Sequence, residues 1–431
     1  MSTSRRRSRT TERPSAPGDG SSGRERAARA VPGLRALRRP ASDSAPAFDL
    51  AYVRRTPGAG SGAVVLEIPG GPGMAMPLPY RSFRDDAAER GLDVIMVEHR
   101  GVGLSRTDVD GRDLPRAAMS VPAVVEDLVA VLDAEGVDRA IVSGASYGSY
   151  VAAAFAVTHP ERTAALVLDS TLLGAGDSED VRAASRARLW DGRDPRTAEL
   201  ARRIRILVER DGHDELALGE IVTTVYEFGG ERLLERYLDQ RVVGRTALTD
   251  AVLHRLLRQE TARTMPHLLE MDLVAQIAYG ELDYAPEPDG RIFDPAHTLG
   301  MEDAPPFTGE HYDLARELQA VDVPGVVISG DRDLRTPRRV AERAAAALPD
   351  AVLLEVPDHG HSALDTRPGL LLDVLEALAR GEHRGLPARA RELARRSRPV
   401  AFGRALPVLV RLLLGVDRLL RPLPAVPRGL R

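Results

Sequence analysis

The chain has 431 residues, 43% of them hydrophobic, with no Cys, Lys or Asn and a single tryptophan, Trp190. Such a chain can bury a sizeable core, as one large domain with an insertion, and the missing cysteines exclude disulfides, thiolate nucleophiles and Cys-based zinc sites. The net charge of −4 conceals two basic ends on an acidic body: residues 1–45 hold 11 Arg against 4 acids, residues 384–431 hold 12 against 2, and residues 46–383 balance to −21. An acidic body argues against a nucleic-acid substrate, because phosphate binding relies on clustered cations.

Residues 1–45 are rich in Ser, Gly, Pro and Arg and show no periodicity, which predicts a disordered basic tail. No long apolar run follows the arginines at 5–7, so no export signal is expected and a cytoplasmic location is implied. Residues 46–171 alternate short apolar runs with helical patterns. Strands are expected at Gly62–Ile68, Asp93–Glu98, Arg139–Ser143 and Thr163–Asp169. A helix is expected from Val121 to Leu132, with Ser120 as its N-cap and Gly136 as its stop, and another over the Ala-rich run Tyr147–Val157. Strands apolar throughout and separated by helices predict an α/β fold whose mostly parallel sheet is covered on both faces. Residues 172–320 change to charged, helix-period segments and predict a helical cap over one edge of the sheet. The alternation resumes over 321–382, with strands at Val323–Ser329 and Ala351–Val356 and helices at Thr336–Leu348 and Leu370–Ala379. The cap is thus inserted before the last two strands.

Residues 383–431 form a basic amphipathic extension. In 405–420, Leu409, Leu412, Leu413, Val416, Leu419 and Leu420 share one helical face, and Arg404, Arg411 and Arg418 lie on the other. The segment is too short and too charged to span a bilayer. Two fates remain open for it. It either lies on an anionic membrane surface, at the inner face for a cytoplasmic protein, or docks on the protein's own acidic body or a second copy.

Three stretches carry chemistry. Gly144-Ala145-Ser146-Tyr147-Gly148 fits G-x-S-x-G between an apolar strand and an Ala-rich helix. A tight strand-to-helix turn of this kind thrusts the serine hydroxyl above the sheet as a nucleophile. Gly330-Asp331-Arg332-Asp333 follows a second strand and supplies two carboxylates, either able to orient a histidine. His359 and His361 follow a third strand, one as a general base and the other as a solvent-exposed turn residue. Ser, Asp and His in that chain order, each at a strand end, is the order of the α/β-hydrolase triad. The histidine would take the serine's proton during attack on a carbonyl, and hydrolysis would proceed through an acyl-enzyme. The tetrahedral oxyanion needs donors already in place. The Tyr147 amide is one, and the bare loop Pro69-Gly70-Gly71-Pro72-Gly73 after the first strand offers the other. This chemistry calls for no cofactor and no metal.

That loop resembles the His-Gly-Gly-Pro-Gly motif of the proline iminopeptidase and tripeptidyl aminopeptidase family, and residues 97–105, VEHRGVGLS, resemble the family's Asp-Gln-Arg-Gly-x-Gly-x-Ser segment. The likeness spans about residues 46–382. It implies the triad Ser146, Asp333 and His361, because the family's Gly-x-x-Asp with Pro four residues on and its Gly-His match Gly330, Asp333, Pro337 and Gly360-His361. It also implies oxyanion donors at Gly71 and Tyr147. Two positions depart from the pattern: Pro69 replaces the motif histidine, and Glu98-His99 replaces Asp-Gln. Residues 275–286 resemble the segment closing the cap in the tripeptidyl members, so Glu281 or Asp283 would hold a substrate's free amine. Otherwise both are solvated cap acids. The favoured activity is an aminopeptidase acting on short peptides. A carboxylester or amide hydrolase on a small acyl substrate is the alternative, and a catalytically silent binding protein is the rival from another class. Epoxide hydrolases and haloalkane dehalogenases are disfavoured because they carry Asp where this chain has Ser146.

Overall fold

The computed structural model describes residues 19–58, 62–211, 215–261, 264–296 and 303–420. Its centre is an eight-stranded sheet: β1 (Leu34–Arg39), β2 (Phe48–Arg55), β3 (Val64–Ile68), β4 (Asp93–Val97), β5 (Ala140–Ala145), β6 (Thr163–Asp169), β7 (Gly325–Gly330) and β8 (Ala351–Val356). The strand order is β1-β2-β4-β3-β5-β6-β7-β8. β1 pairs antiparallel with β2 and β2 with β4, and all other pairs are parallel.

The six strands expected from apolar runs all form. Their side chains alternate between two cores, as the period of two in a strand requires. Leu66, Ile68, Ile95 and Val97 face the helices Val121–Ala134, Tyr147–Thr158 and Arg338–Ala347. Val65, Val94 and Met96 face Arg81–Glu89 and Pro368–Ala379. Ser120 does cap Val121–Ala134, accepting from the Ala123 amide at 3.3 Å.

Between β6 and β7 the chain forms the helical cap. Its helices Ala198–Asp211, Glu215–Val242 and Ala247–Thr261 share a third core around Ile204, Val222, Tyr226, Leu234 and Leu253.

Two expectations fail. The tail expected over 1–45 lies outside the described residues only up to residue 18. Asp19–Arg29 is helical and Leu34–Arg39 is the edge strand β1, because its backbone finds partners along β2 that a local reading cannot foresee. The core does not end at 382, since Leu386 and Leu393 are buried in the second core. Of the two fates left open for the C-terminal helix, docking on the body is formed: Ala401–Leu419 packs into the cap through Leu406, Val410 and Leu414, leaving much of the expected apolar face outward.

Candidate active site

Ser146 sits between β5 and the helix Tyr147–Thr158 with φ 54° and ψ −122°. This left-handed conformation, costly for a residue with a Cβ, is held by backbone bonds on either side: its amide donates to the Asp169 carbonyl at 2.8 Å, and its carbonyl accepts from the Ser149 amide at 2.9 Å. The turn is tight enough that a Cβ on Gly148 would lie 2.0 Å from the Ile68 carbonyl oxygen. That packing is the physical content of the second glycine in G-x-S-x-G. Ser146 Oγ makes no hydrogen bond among the described residues.

The loop after β3 crosses directly over this turn. A Cβ on Gly70 would stand 3.3 Å from the Ser146 Cβ, and Gly71 has φ 125°, a conformation that a side chain would disfavour. The amides of Gly71 and Tyr147 have no partner among the described residues. The loop is clamped from the cap side, where the Glu270 amide donates to the Gly73 carbonyl at 2.8 Å and the Ala75 amide to the Leu268 carbonyl at 3.0 Å. Arg106 reinforces this clamp, reaching Glu270 at 3.1 Å, Asp272 at 2.7 Å and Asp113 at 2.7 Å.

Asp333 and His361 meet across the ends of β7 and β8. His361 Nδ1 lies 3.1 and 3.2 Å from the two carboxylate oxygens of Asp333. The Asp333 carboxylate also accepts from the Arg335 and Thr336 amides, both at 2.9 Å, and from the Thr336 hydroxyl at 2.8 Å. Asp333 therefore orients the ring and caps the following turn at once. Burial alone would raise its carboxyl, but the charge and hydrogen bond of His361, with the Thr336 donors, hold it below the usual carboxylate range. Burial alone would lower the His361 ring, but the charge and hydrogen bond of Asp333 hold it above its ordinary value. His361 Nε2 has no hydrogen-bond partner among the described residues.

Asp331 points elsewhere, accepting from the His359 amide at 3.3 Å and facing Arg196 at 3.7 Å. His359 is not the exposed turn histidine expected from the sequence. It is 2% exposed, and burial lowers its ring to about 3, because the turn packs against the end of β7, where the His359 carbonyl accepts from the Arg332 amide at 2.9 Å.

Three further residues brace the site without having been singled out. Asp169 joins the two halves: its carbonyl holds the Ser146 amide, and its carboxylate accepts from the Leu364 amide at 3.0 Å. Ser170 accepts from the Ser362 amide, beside His361, at 2.8 Å. Both stand at the end of an expected strand, which is the signal that could have found them. Glu227 reaches in from the cap helix Glu215–Val242, accepting from the Leu334 amide at 3.1 Å and from Arg335 Nε at 3.3 Å. No local pattern marks it.

The second departure from the family motif, Glu98-His99, lies beside the loop, with Glu98 buried and His99 half-buried. Glu98 accepts from the Leu104 amide at 2.8 Å and the Met76 amide at 3.4 Å, and burial pushes its carboxyl up to about 8. His99, lowered by burial to about 4, has Nε2 3.0 Å from the Tyr147 hydroxyl. A small cleft of about 20 Å³ lies under the loop, lined by Pro69, Gly70, Pro72, His99 and Tyr147 among others. Of the cap acids, Glu281 is 6% exposed, accepts from the Val121 amide at 3.0 Å and lies 3.3 Å from His311. Burial and then the Glu281 carboxylate raise the Tyr147 phenol well above its ordinary value. Asp283 is half-buried with φ 48° and has no hydrogen-bond partner among the described residues. No cluster of three or more His, Asp or Glu residues among the described residues is arranged to hold a metal.

A family model described as alpha/beta hydrolase fold matches residues 63–213, and one described as TAP-like protein matches residues 306–370. Over 330 residues the chain is 24% identical to a Streptomyces coelicolor protein named probable proline iminopeptidase, covering 75% of this chain and 89% of that one. Over 112 residues it is 31% identical to the proline iminopeptidase of Neisseria meningitidis, covering 26% of this chain and 34% of that one. Among solved structures, the proline iminopeptidase of Mycobacterium smegmatis aligns with a TM-score of 0.45 at 17% identity, covering 89% of this chain and 99% of that one.

Proposed function

We propose that this chain, an α/β-hydrolase-fold protein with a TAP-like C-terminal segment, is a serine hydrolase that releases N-terminal residues from short peptides. The observation that carries the reading is the Asp333–His361 pair, a buried carboxylate 3.1 Å from Nδ1 of a ring whose other nitrogen is unpartnered, at the same sheet edge as Ser146. In this reading His361 Nε2 takes the Ser146 proton as Oγ attacks the carbonyl carbon. The Gly71 and Tyr147 amides receive the oxyanion. The imidazolium, stabilised by Asp333, gives its proton to the leaving amine, and a water deprotonated by His361 then hydrolyses the acyl-enzyme. The Ser146–His361 hydrogen bond forms on substrate binding, as catalytic bonds loose in free enzymes often do.

The aminopeptidase reading is supported by the likeness to proline iminopeptidases, with Glu281, already engaged by the Val121 amide and His311, as one candidate for a substrate ammonium group. Asp283, with no hydrogen-bond partner among the described residues, is the second candidate for a substrate ammonium group. The test is hydrolysis of free-amine Pro and Ala anilides, their N-blocked forms and a short-chain aryl ester by native protein and Ser146→Ala. Turnover of the free-amine anilides alone, abolished in the variant, is the expected result. Ester turnover alone would move the chain to the carboxylester hydrolases. Absence of both turnover and fluorophosphonate labelling would make it a binding protein.

A further inference from the structure

We propose that the outward face of the C-terminal helix Ala401–Leu419 is a docking surface for an anionic membrane. This helix is apolar on two sides. The inner side is fixed in the cap core by Leu406, Val410 and Leu414, none more than 6% exposed. Its rotation is set by Asp417, whose carboxylate accepts from the Leu248 amide at 3.0 Å, the Thr249 amide at 2.9 Å and the Thr249 hydroxyl at 2.6 Å. The outer side therefore faces away from the body by construction of the fold.

That outer side carries Val408, Leu412, Val416 and Leu419, exposed by 49, 64, 43 and 87%. Stepped by four, four and three residues, they fall within about 80° on a helix. Leu420 continues the stripe at 51%, and Leu248, tied to Asp417, lies beside it at 36%. Single exposed apolar side chains need no explanation, but a continuous stripe marks an interaction surface.

The charge beside the stripe identifies the partner. Arg404, Arg411 and Arg418, seven residues apart, run along its edge, all exposed. None of the three forms an ion pair among the described residues, although the body they sit on carries −21. An apolar strip half-sunk at the acyl boundary, with a row of arginines at headgroup level, is the geometry of a helix lying in an anionic interface. A second copy is disfavoured by the same charges. A two-fold contact through this stripe would bring two unpaired arginine rows together. Among the described residues no helix is long and apolar enough to cross a membrane, so the contact is peripheral and holds the protein by its cap.

The test is flotation of the full-length protein with vesicles of phosphatidylcholine alone and with about 30% phosphatidylglycerol. Binding to the anionic vesicles only, weakened by added salt, is expected. Leu412→Glu with Val416→Glu, and separately Arg411→Glu with Arg418→Glu, should each cut binding roughly tenfold or more. Their melting temperatures should stay near that of the native protein, because these side chains lie outside the cap core. If a glutamate pair lowers folding yield, Leu412→Ser and Arg411→Ser make the same comparison. Failure of the native protein to bind anionic vesicles overturns the proposal, as does binding that neither pair weakens. So does a dimer in sedimentation that Leu412→Glu with Val416→Glu dissolves while native vesicle binding is absent, which would assign the stripe to a second copy.

Discussion

Asp333 holds both the His361 ring and the turn at Arg335 and Thr336. Because Asp333 raises the His361 ring and only the neutral ring accepts a proton, activity should fall as pH drops through a value above the ordinary 6.5. In Asp333→Asn that raising charge is gone while burial still lowers the ring. kcat should fall roughly 10³- to 10⁴-fold, and the acid limb of the residual rate should move to lower pH, as a pH–rate profile would show. Glu98 gives a prediction of the opposite kind. Its folded value of about 8 exceeds the ordinary 4.5, so stability is fully present below pH 4.5 and is lost as pH rises through 8, at about 1.4 kcal/mol per unit in between. Glu98→Gln mimics the protonated acid. Its melting temperature should therefore gain on the native protein as pH goes from 5 to 8, and a constant difference across that range would refute the buried-acid account.

At the scale of elements, the loop after β3 is held from outside the sheet. Residues 268–270 of the cap hydrogen-bond the backbone at Gly73 and Ala75, and Arg106 ties that segment to the loop following β4. Arg106→Ala would leave Glu270, 2% exposed, without its cation. The expected result is a roughly tenfold lower kcat with little change in KM, since transition-state donors are displaced rather than ground-state contacts. Arg106→Lys should restore part of it. An effect on KM alone would make Arg106 a binding residue. The order of strands and helices was readable because each element has its own period and caps. The clamp was not, because it joins backbone groups about 195 positions apart that carry no side-chain signature.

At the scale of the whole molecule, the C-terminal helix is part of the cap rather than an appendage. Leu406, Val410 and Leu414 complete the core around Tyr226, Leu234 and Leu253. Burial of three such side chains contributes roughly 5 kcal/mol. Truncation after Arg398 should therefore lower the melting temperature by roughly 5 °C, or split the thermal transition so that the cap melts first. An unchanged melting curve would show that the helix is dispensable to the cap. The same packing explains why the amphipathic reading of 405–420 was right about the helix and about docking on the body as one of its fates, but not about which side docks. Both faces are apolar enough to bury, and only the shape of the cap chooses between them.

The sequence by itself determined the α/β-hydrolase architecture, the position of the cap, and Ser146 with two candidate pairs at strand ends, Asp331 or Asp333 and His359 or His361, which only the family resemblance narrowed to Asp333 and His361. Those features are written in short-range patterns: strand and helix periods, the glycines of a tight turn, and polar residues just past apolar runs. The tertiary structure alone decided that 34–39 is a strand, that His359 is buried, that Asp169 and Glu227 brace the site, and which face of the last helix is outward. Each of these depends on a partner distant in the chain, and neither burial nor a hydrogen bond across such a distance leaves a local mark on composition.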